Sequence, residues 1–167
     1  MGLPAPADVR FRSDLRPGDV EAIREIVLGT GFFTPAEIAV AVELAEERLA
    51  KGAASGYHFV FAEDEVGHVV GYACYGPVPA TEATYDLYWI AVAPSCQRSG
   101  LGRKLLELSE QAIATAGGCD VYIETSSRAL YRPTQGFYGK AGYRLAAEFP
   151  DFYAPSDGKL VFVKRLR

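Results

Sequence analysis

The chemistry of this chain is most legible between Ile90 and Leu106, which reads Ile-Ala-Val-Ala-Pro-Ser-Cys-Gln-Arg-Ser-Gly-Leu-Gly-Arg-Lys-Leu-Leu. Gly100 and Gly102 stand where a strand-like run gives way to a helical pattern. Without Cβ atoms, backbone amides there can approach a ligand closely. A helix start adds unpaired N–H groups and the positive end of the dipole, an arrangement suited to a pyrophosphate. Arg98, Arg103 and Lys104 add positive charge at its edge. A P-loop is absent, because Gly-x-x-x-x-Gly-Lys-Ser/Thr does not occur. A dinucleotide fingerprint fails as well, because Leu105 takes the place of its third glycine. What remains is Gln-x-x-Gly-x-Gly after a strand ending Ile-Ala-Val, or glycines that shape only a tight turn.

The surrounding elements can be read from periodicity. Val9-Arg10-Phe11-Arg12 alternates as a short strand. Pro17 and Asp19 open a helix with Val20, Ile23, Ile26 and Val27 on one face, closed by Gly29 and Gly31. Thr34-Pro35-Ala36-Glu37 predicts a capped helix start running to about Lys51. Strand-like runs follow at Tyr57 to Ala62, Val69 to Tyr75 and Tyr85 to Val92. The first two are joined by a polar turn that predicts an antiparallel hairpin. Leu101 to Ala116 is strongly helical, and Gly117-Gly118 stop it. Val121-Tyr122-Ile123, arriving straight after a helix, implies a parallel β-α-β unit. A shorter helix is expected over Gln135 to Ala141. A last hairpin is expected from Tyr143–Phe149 and Leu160–Lys164, with Ser156-Asp157-Gly158 in its loop. This order predicts an α/β (α+β) fold, a mixed sheet with helices on both faces.

Gln97-Arg98-Ser99-Gly100-Leu101-Gly102, between Trp89-Ile90-Ala91-Val92 and Arg103-Lys104-Leu105-Leu106, resembles the acetyl-CoA motif of the GNAT superfamily of acyl-CoA N-acyltransferases. Gly136-Phe137-Tyr138-Gly139-Lys140-Ala141-Gly142-Tyr143 is similar to that family's Phe-Tyr-x-x-x-Gly-Phe/Tyr segment. The two blocks stand in the family's order, and the resemblance covers roughly Val9 to Leu166. It implies a mostly antiparallel seven-stranded sheet splayed between its fourth and fifth strands, the notch taking the pantetheine arm of acetyl-CoA. Ile90, Ala91 and Val92 would bond that arm. Gln97, Arg98, Ser99, Gly100, Leu101, Gly102, Arg103 and Lys104 would hold the pyrophosphate. No metal is implied.

The same resemblance implies roles for an acid and a base in acetyl transfer to an amine. Tyr138 matches the family's tyrosine, commonly the proton donor to the CoA sulfur, a task suited to a phenol that is protonated at neutral pH. Tyr131 is a nearby substitute. The Asn that many relatives carry before the tyrosine is missing; Ser126, Ser127 or Thr134 stand in that region. Glu124, at the C-terminal end of a central strand, is the first candidate base. Glu82 and Asp86 are its rivals. A carboxylate near pKa 4 is a weak base for an ammonium, so a water relay or a raised pKa is required. The acceptor is expected among Phe32, Phe33, Tyr72, Tyr75, Tyr85, Asp86, Tyr88 and Pro150-Asp151-Phe152-Tyr153, whose rings offer apolar and cation–π contact.

Composition removes other classes. The 167 residues are 49% hydrophobic and 23% charged, a globular balance that rules out wholesale disorder. They predict an N-terminal tail over residues 1–8 and a single domain over residues 9–167. A net charge of −4 argues against a nucleic-acid partner held by bulk electrostatics. The sequence lacks an apolar run long enough to span a membrane, and its start, Met1-Gly2-Leu3-Pro4-Ala5-Pro6, lacks a secretory pattern. Cys74, Cys96 and Cys119 are odd in number and widely spaced, which favours a reducing, cytoplasmic setting. His58 and His68 are poorly placed for a metal. The expected function is acetyl transfer from acetyl-CoA to a primary amine of a small or amino-acid-like molecule. A protein N-terminal or lysine acetyltransferase, a non-catalytic acyl-CoA sensor and a binder of another nucleotide are the alternatives. A homodimer stays open.

Overall fold

The computed structural model describes residues 8–166. Within the expected N-terminal tail only Asp8 belongs to the described residues. The chain forms β1 (Arg10–Arg12), α1 (Asp19–Gly29), α2 (Pro35–Lys51), β2 (His58–Glu63), β3 (Val69–Pro77), β4 (Thr84–Val92), α3 (Leu101–Thr115), β5 (Asp120–Ser126), α4 (Arg132–Lys140), β6 (Arg144–Ala154) and β7 (Asp157–Arg165). The seven strands lie in the order β1-β2-β3-β4-β5-β7-β6. β4 and β5 run parallel, and the other neighbours pair antiparallel. The parallel step is the one that α3 bridges, since parallel neighbours need a crossover long enough to return along the sheet.

Local chemistry explains the helix ends. The Thr34 hydroxyl accepts a hydrogen bond from the Glu37 amide at 3.2 Å, and the Glu37 carboxylate accepts one from the Thr34 amide at 2.7 Å. Two otherwise orphaned donors of α2 are thereby satisfied, with Pro35 in the first turn. α3 buries Leu101, Leu105, Leu106, Ser109 and Ile113. α4 begins at Arg132, three residues before the expected Gln135. Pro133 sits in its first turn, where a missing N–H costs nothing.

The helices cover both sheet faces and define two apolar layers. One places Leu101, Leu105, Leu106 and Ile113 of α3 against Leu87, Val121, Ile123 and Phe162. The other places Ile23, Ile26, Val27, Ala41 and Ala45 of α1 and α2 against Phe59, Phe61, Tyr72 and Cys74.

Two irregularities shape the centre. β4 pairs with β5 only through Thr84↔Asp120, Tyr85↔Val121 and Asp86↔Tyr122. Beyond Asp86 the strands part, β5 continuing along β7 and β4 along β3. At the same place the register against β3 jumps from Tyr75↔Leu87 to Cys74↔Trp89, leaving Tyr88 as an extra residue, a β-bulge. Tyr88 and Trp89 consequently both face α1 and α2, while Leu87, Ile90 and Val92 face α3. The C-terminal hairpin is longer than expected. β6 reaches Ala154, and residues 150–153 bulge out between the pairs Phe149↔Lys159 and Ala154↔Asp157. The turn falls at Pro155 and Ser156, before the expected Asp157 and Gly158.

Candidate active site

On the α3 face, the loop after β4 reaches the helix through Gly100, whose φ is +84°. Arg98 also has positive φ, +60°. α3 has no side-chain cap, so its first amides have no side-chain partner to displace. The loop is braced locally: the Gln97 side-chain amide donates to the Val92 carbonyl at 3.2 Å, and the Ser99 hydroxyl donates to the Cys96 carbonyl at 2.6 Å. A cavity of about 390 Å³ opens here, lined by Val92, Cys96, Gln97, Arg98, Gly100, Gly102, Arg103, Phe137, Lys140 and Ala141. Three cations, a row of amides and an apolar wall in one cavity suit a ligand that is anionic at one end and apolar along its length. The free edge of β4 beyond Asp86 continues from this cavity into the fork between β4 and β5.

On the opposite face, the fork's inner end carries charge. Asp86 is the last paired residue of β4 and is half-buried. Burial first, and the neighbouring Glu124 carboxylate second, push its pKa up, against the opposing pull of Lys159. Glu124, with 53% of its side chain exposed, is held by the Lys159 ammonium at 2.9 Å. Lys159 in turn lies 4.5 Å over the Phe152 ring. Tyr88 titrates at about 12, raised by burial and then by the charge of Asp86. Phe33 packs on Trp89 at 4.9 Å between ring centres. Phe32 lies 6.2 Å from the Tyr131 ring, and the Tyr131 hydroxyl donates to the Phe32 carbonyl at 3.4 Å. Phe149, Phe152 and Tyr153 form an exposed aromatic row on β6.

Comparison with known proteins places this geometry. Residues 55–145 match the model of the acetyltransferase (GNAT) domain. A provisionally assigned GNAT-family acetyltransferase from Desulfovibrio desulfuricans is 48% identical, over 96% of this chain and 100% of that one, with a TM-score of 0.93. The chain belongs to the GNAT acetyltransferase family. It is therefore an acyltransferase. More distant structures share the fold. An aminoglycoside 6'-N-acetyltransferase complexed with coenzyme A is 17% identical over 96% of this chain and 97% of its own, with a TM-score of 0.74. The ribosomal-protein-S18-alanine N-acetyltransferase from Escherichia coli is 21% identical over 95% of this chain and 94% of its own, with a TM-score of 0.75.

Within this GNAT domain the expected donor residues converge. Ile90, Ala91 and Val92 lie on the part of β4 that has left β5, and Gln97 to Lys104 form the loop and first turn of α3. The Leu101 side chain is buried in the core, so only its amide faces outward. Tyr138 is 5% exposed and packs against Tyr143 and Phe162; burial holds its phenol well above the ordinary range, and therefore protonated. Its neighbour Phe137, rather than Tyr138 itself, lines the cavity.

The acceptor candidates divide. Asp86, Tyr88, Phe33 and Phe152 belong to the face of the fork opposite α3, and Phe32 is joined to it through Tyr131. Tyr75 does not join them, because it faces the α3 layer and stacks on His58 at 5.5 Å. The Asp151 carboxylate is occupied by the Ser156 amide at 2.7 Å, which closes the hairpin. Ser126 and Ser127 are likewise engaged, bonding Asp157 and the Gly158 amide. Sequence reasoning missed Lys140, Phe137 and Cys96 in the cavity wall, although all three lie inside or beside the quoted motifs. It also missed Lys159, which only the pairing of β5 with β7 brings to Glu124. Among the described residues, no cluster of three or more His, Cys, Asp or Glu could hold a metal, and no helix is long and apolar enough to cross a membrane. The three cysteines are free.

Proposed function

We propose that residues 9–167 act as one domain that transfers the acetyl group of acetyl-CoA directly to a primary amine of a small or amino-acid-like molecule. The observation that carries this reading is the fork: β4 and β5 separate after Asp86 and open onto the uncapped start of α3 and its cation-lined cavity. In this reading Ile90, Ala91 and Val92 bond the pantetheine arm through their backbone. The amides from Arg98 to Arg103 hold the pyrophosphate, with Gln97 and Ser99 bracing the loop and Lys104 adding charge.

Transfer needs a neutral nitrogen, a polarised thioester and a proton for the leaving sulfur. The buried Tyr138 phenol keeps its proton at neutral pH and is the donor in this scheme. A carboxylate at the fork, Glu124 or Asp86, receives the proton of the incoming ammonium. The acceptor rests among Phe32, Phe33, Tyr88 and Phe152. The contacts from Phe32 to Tyr131 tie the α1–α2 loop to the segment before α4, which supports a small acceptor over an extended peptide.

The test is a thermal-shift titration with acetyl-CoA, CoA, ATP and NAD, followed by thiol release across a panel of amines. Stabilisation that grows with acetyl-CoA, together with thiol release dependent on an amine, is expected. Tyr138→Phe should retain CoA binding and lose about 10²-fold or more in turnover. Stabilisation by ATP or NAD in preference to CoA would overturn the cofactor reading, and binding without turnover on any amine would favour a sensor.

A further inference from the structure

The two carboxylates at the fork are not equivalent, and the difference assigns them separate tasks. Glu124 projects from β5 into an ion pair with Lys159, and Lys159 is fixed on its other side by the Phe152 ring. Its carboxylate is therefore tied down at 2.9 Å by a cation whose side chain is only 17% exposed. Asp86 has no such partner among the described residues. It stands at the last pair before β4 and β5 diverge, at the apex of the opening, on the face away from α3.

Resting on the proposed amine transfer, we infer that Asp86 is the general base and that the neighbouring Glu124–Lys159 pair tunes it through its charges. The acceptor enters as an ammonium and passes one proton to the Asp86 carboxylate. The freed nitrogen lone pair attacks the thioester carbonyl carbon. As the C–S bond breaks, the sulfur takes a proton from Tyr138. The second proton shed by nitrogen as the amide forms restores the phenol through solvent, and Asp86 releases its own proton to solvent. The charged groups acting on Asp86 are Glu124 from β5 and Lys159 from β7, and Asp86 in turn raises the neighbouring Tyr88 phenol on β4. Half-burial and the Glu124 charge make Asp86 a stronger base than a free carboxylate, which narrows the mismatch with an ammonium. Lys159 acts directly on Asp86 in the opposite sense, and its ion pair fixes where the Glu124 charge sits.

The opposed signs provide the test. Steady-state rates of the full chain would be measured against pH for wild type, Asp86→Asn, Glu124→Gln and Lys159→Met, with acetyl-CoA affinity measured in parallel. Asp86→Asn should lower kcat by about 10²-fold or more with acetyl-CoA affinity unchanged. Glu124→Gln removes a charge that raises the Asp86 pKa, so the acid limb of kcat/KM should move to lower pH. Lys159→Met removes a charge that lowers it, so that limb should move to higher pH. A purely structural pair would not move the limb in opposite directions. The inference fails if Asp86→Asn keeps wild-type turnover, if Glu124→Gln abolishes turnover, or if the limb stays in place in both tuning variants. Loss of acetyl-CoA binding or amine turnover in the wild-type chain would instead remove the reading on which it rests.

Discussion

The backbone at the start of α3 makes a pair of opposite predictions for the two motif glycines on either side of Leu101. Gly100 has φ of +84°, a left-handed conformation that an L-residue with a Cβ adopts at a cost of about 1–2 kcal/mol. A Cβ there would meet no atom within 4 Å, so the cost of Gly100→Ala is conformational alone. For a chain of this length 1 kcal/mol moves Tm by about 2–4 °C, so Tm should fall by about 2–8 °C. Relief of the strain would rotate the amides of Leu101 and Gly102, and the KM for acetyl-CoA should rise by about tenfold, the equivalent of one lost charge-assisted hydrogen bond. Gly102 lies inside α3 with ordinary helical backbone. Its added Cβ would touch Phe137 and Val92 at 3.8 Å, normal van der Waals distance. Gly102→Ala should therefore gain about 0.5–1 kcal/mol from helix propensity and raise Tm by about 1–4 °C. Differential scanning calorimetry and acetyl-CoA titration of both variants would settle the comparison. A Gly100→Ala protein as stable and as tight-binding as wild type, or a destabilised Gly102→Ala protein, would refute the reasoning.

Three further outcomes follow from packing and charge. Lys164 bonds both oxygens of the nearly buried Glu110 at 2.8 Å and the Ala141 carbonyl at 2.9 Å, pinning the end of α4 to α3. Lys164→Met should cost about 2–3 kcal/mol by stranding Glu110, measurable as a lower urea midpoint with an unchanged m-value. Gly118→Ala places a Cβ 2.3 Å from Ile113 and 2.8 Å from Tyr85, so overpacking should cost about 1–3 kcal/mol in the same assay. Burial, and to a lesser degree Arg48, lowers the pKa of His58. Its unfolded form binds a proton at higher pH than its folded form, so stability should decline as pH falls from about 6.5 toward the folded pKa and then level off. His58→Gln should flatten that part of a Tm-against-pH curve.

Much of this architecture is written locally. The Thr34-Pro35-Glu37 cap, the leucine spacing of α3 and the arrival of β5 straight after it are signals in which pattern and packing agree, and these elements appear where they were expected. The start of α4 is harder to read because Pro133 and Thr134 look like loop, although proline belongs naturally in a helix's first turn. The long β6 was hidden by Pro150, which the strand accommodates on a sheet edge by bulging. In the site, the glycine loop was legible because its chemistry is backbone chemistry set by neighbours in the chain. The unequal surroundings of Asp86 and Glu124 are not legible in this way. They depend on Lys159, 35 residues beyond Glu124, and strand register alone brings those two together.

The extra residue at Tyr88 gives β4 something like a reading frame. Before it, odd-numbered residues Tyr85 and Leu87 face α3; after it, even-numbered Ile90 and Val92 do so. The extra residue shifts the numbering of the alternation by one and sets two successive rings, Tyr88 and Trp89, on the α1–α2 face. Substitutions along β4 leave that phase intact. Deleting Tyr88 would also keep it, because Leu87 and Trp89 would then follow each other on opposite faces and Ile90 and Val92 would still face α3; what would be lost is the second ring on the α1–α2 face and the local bend of the bulge.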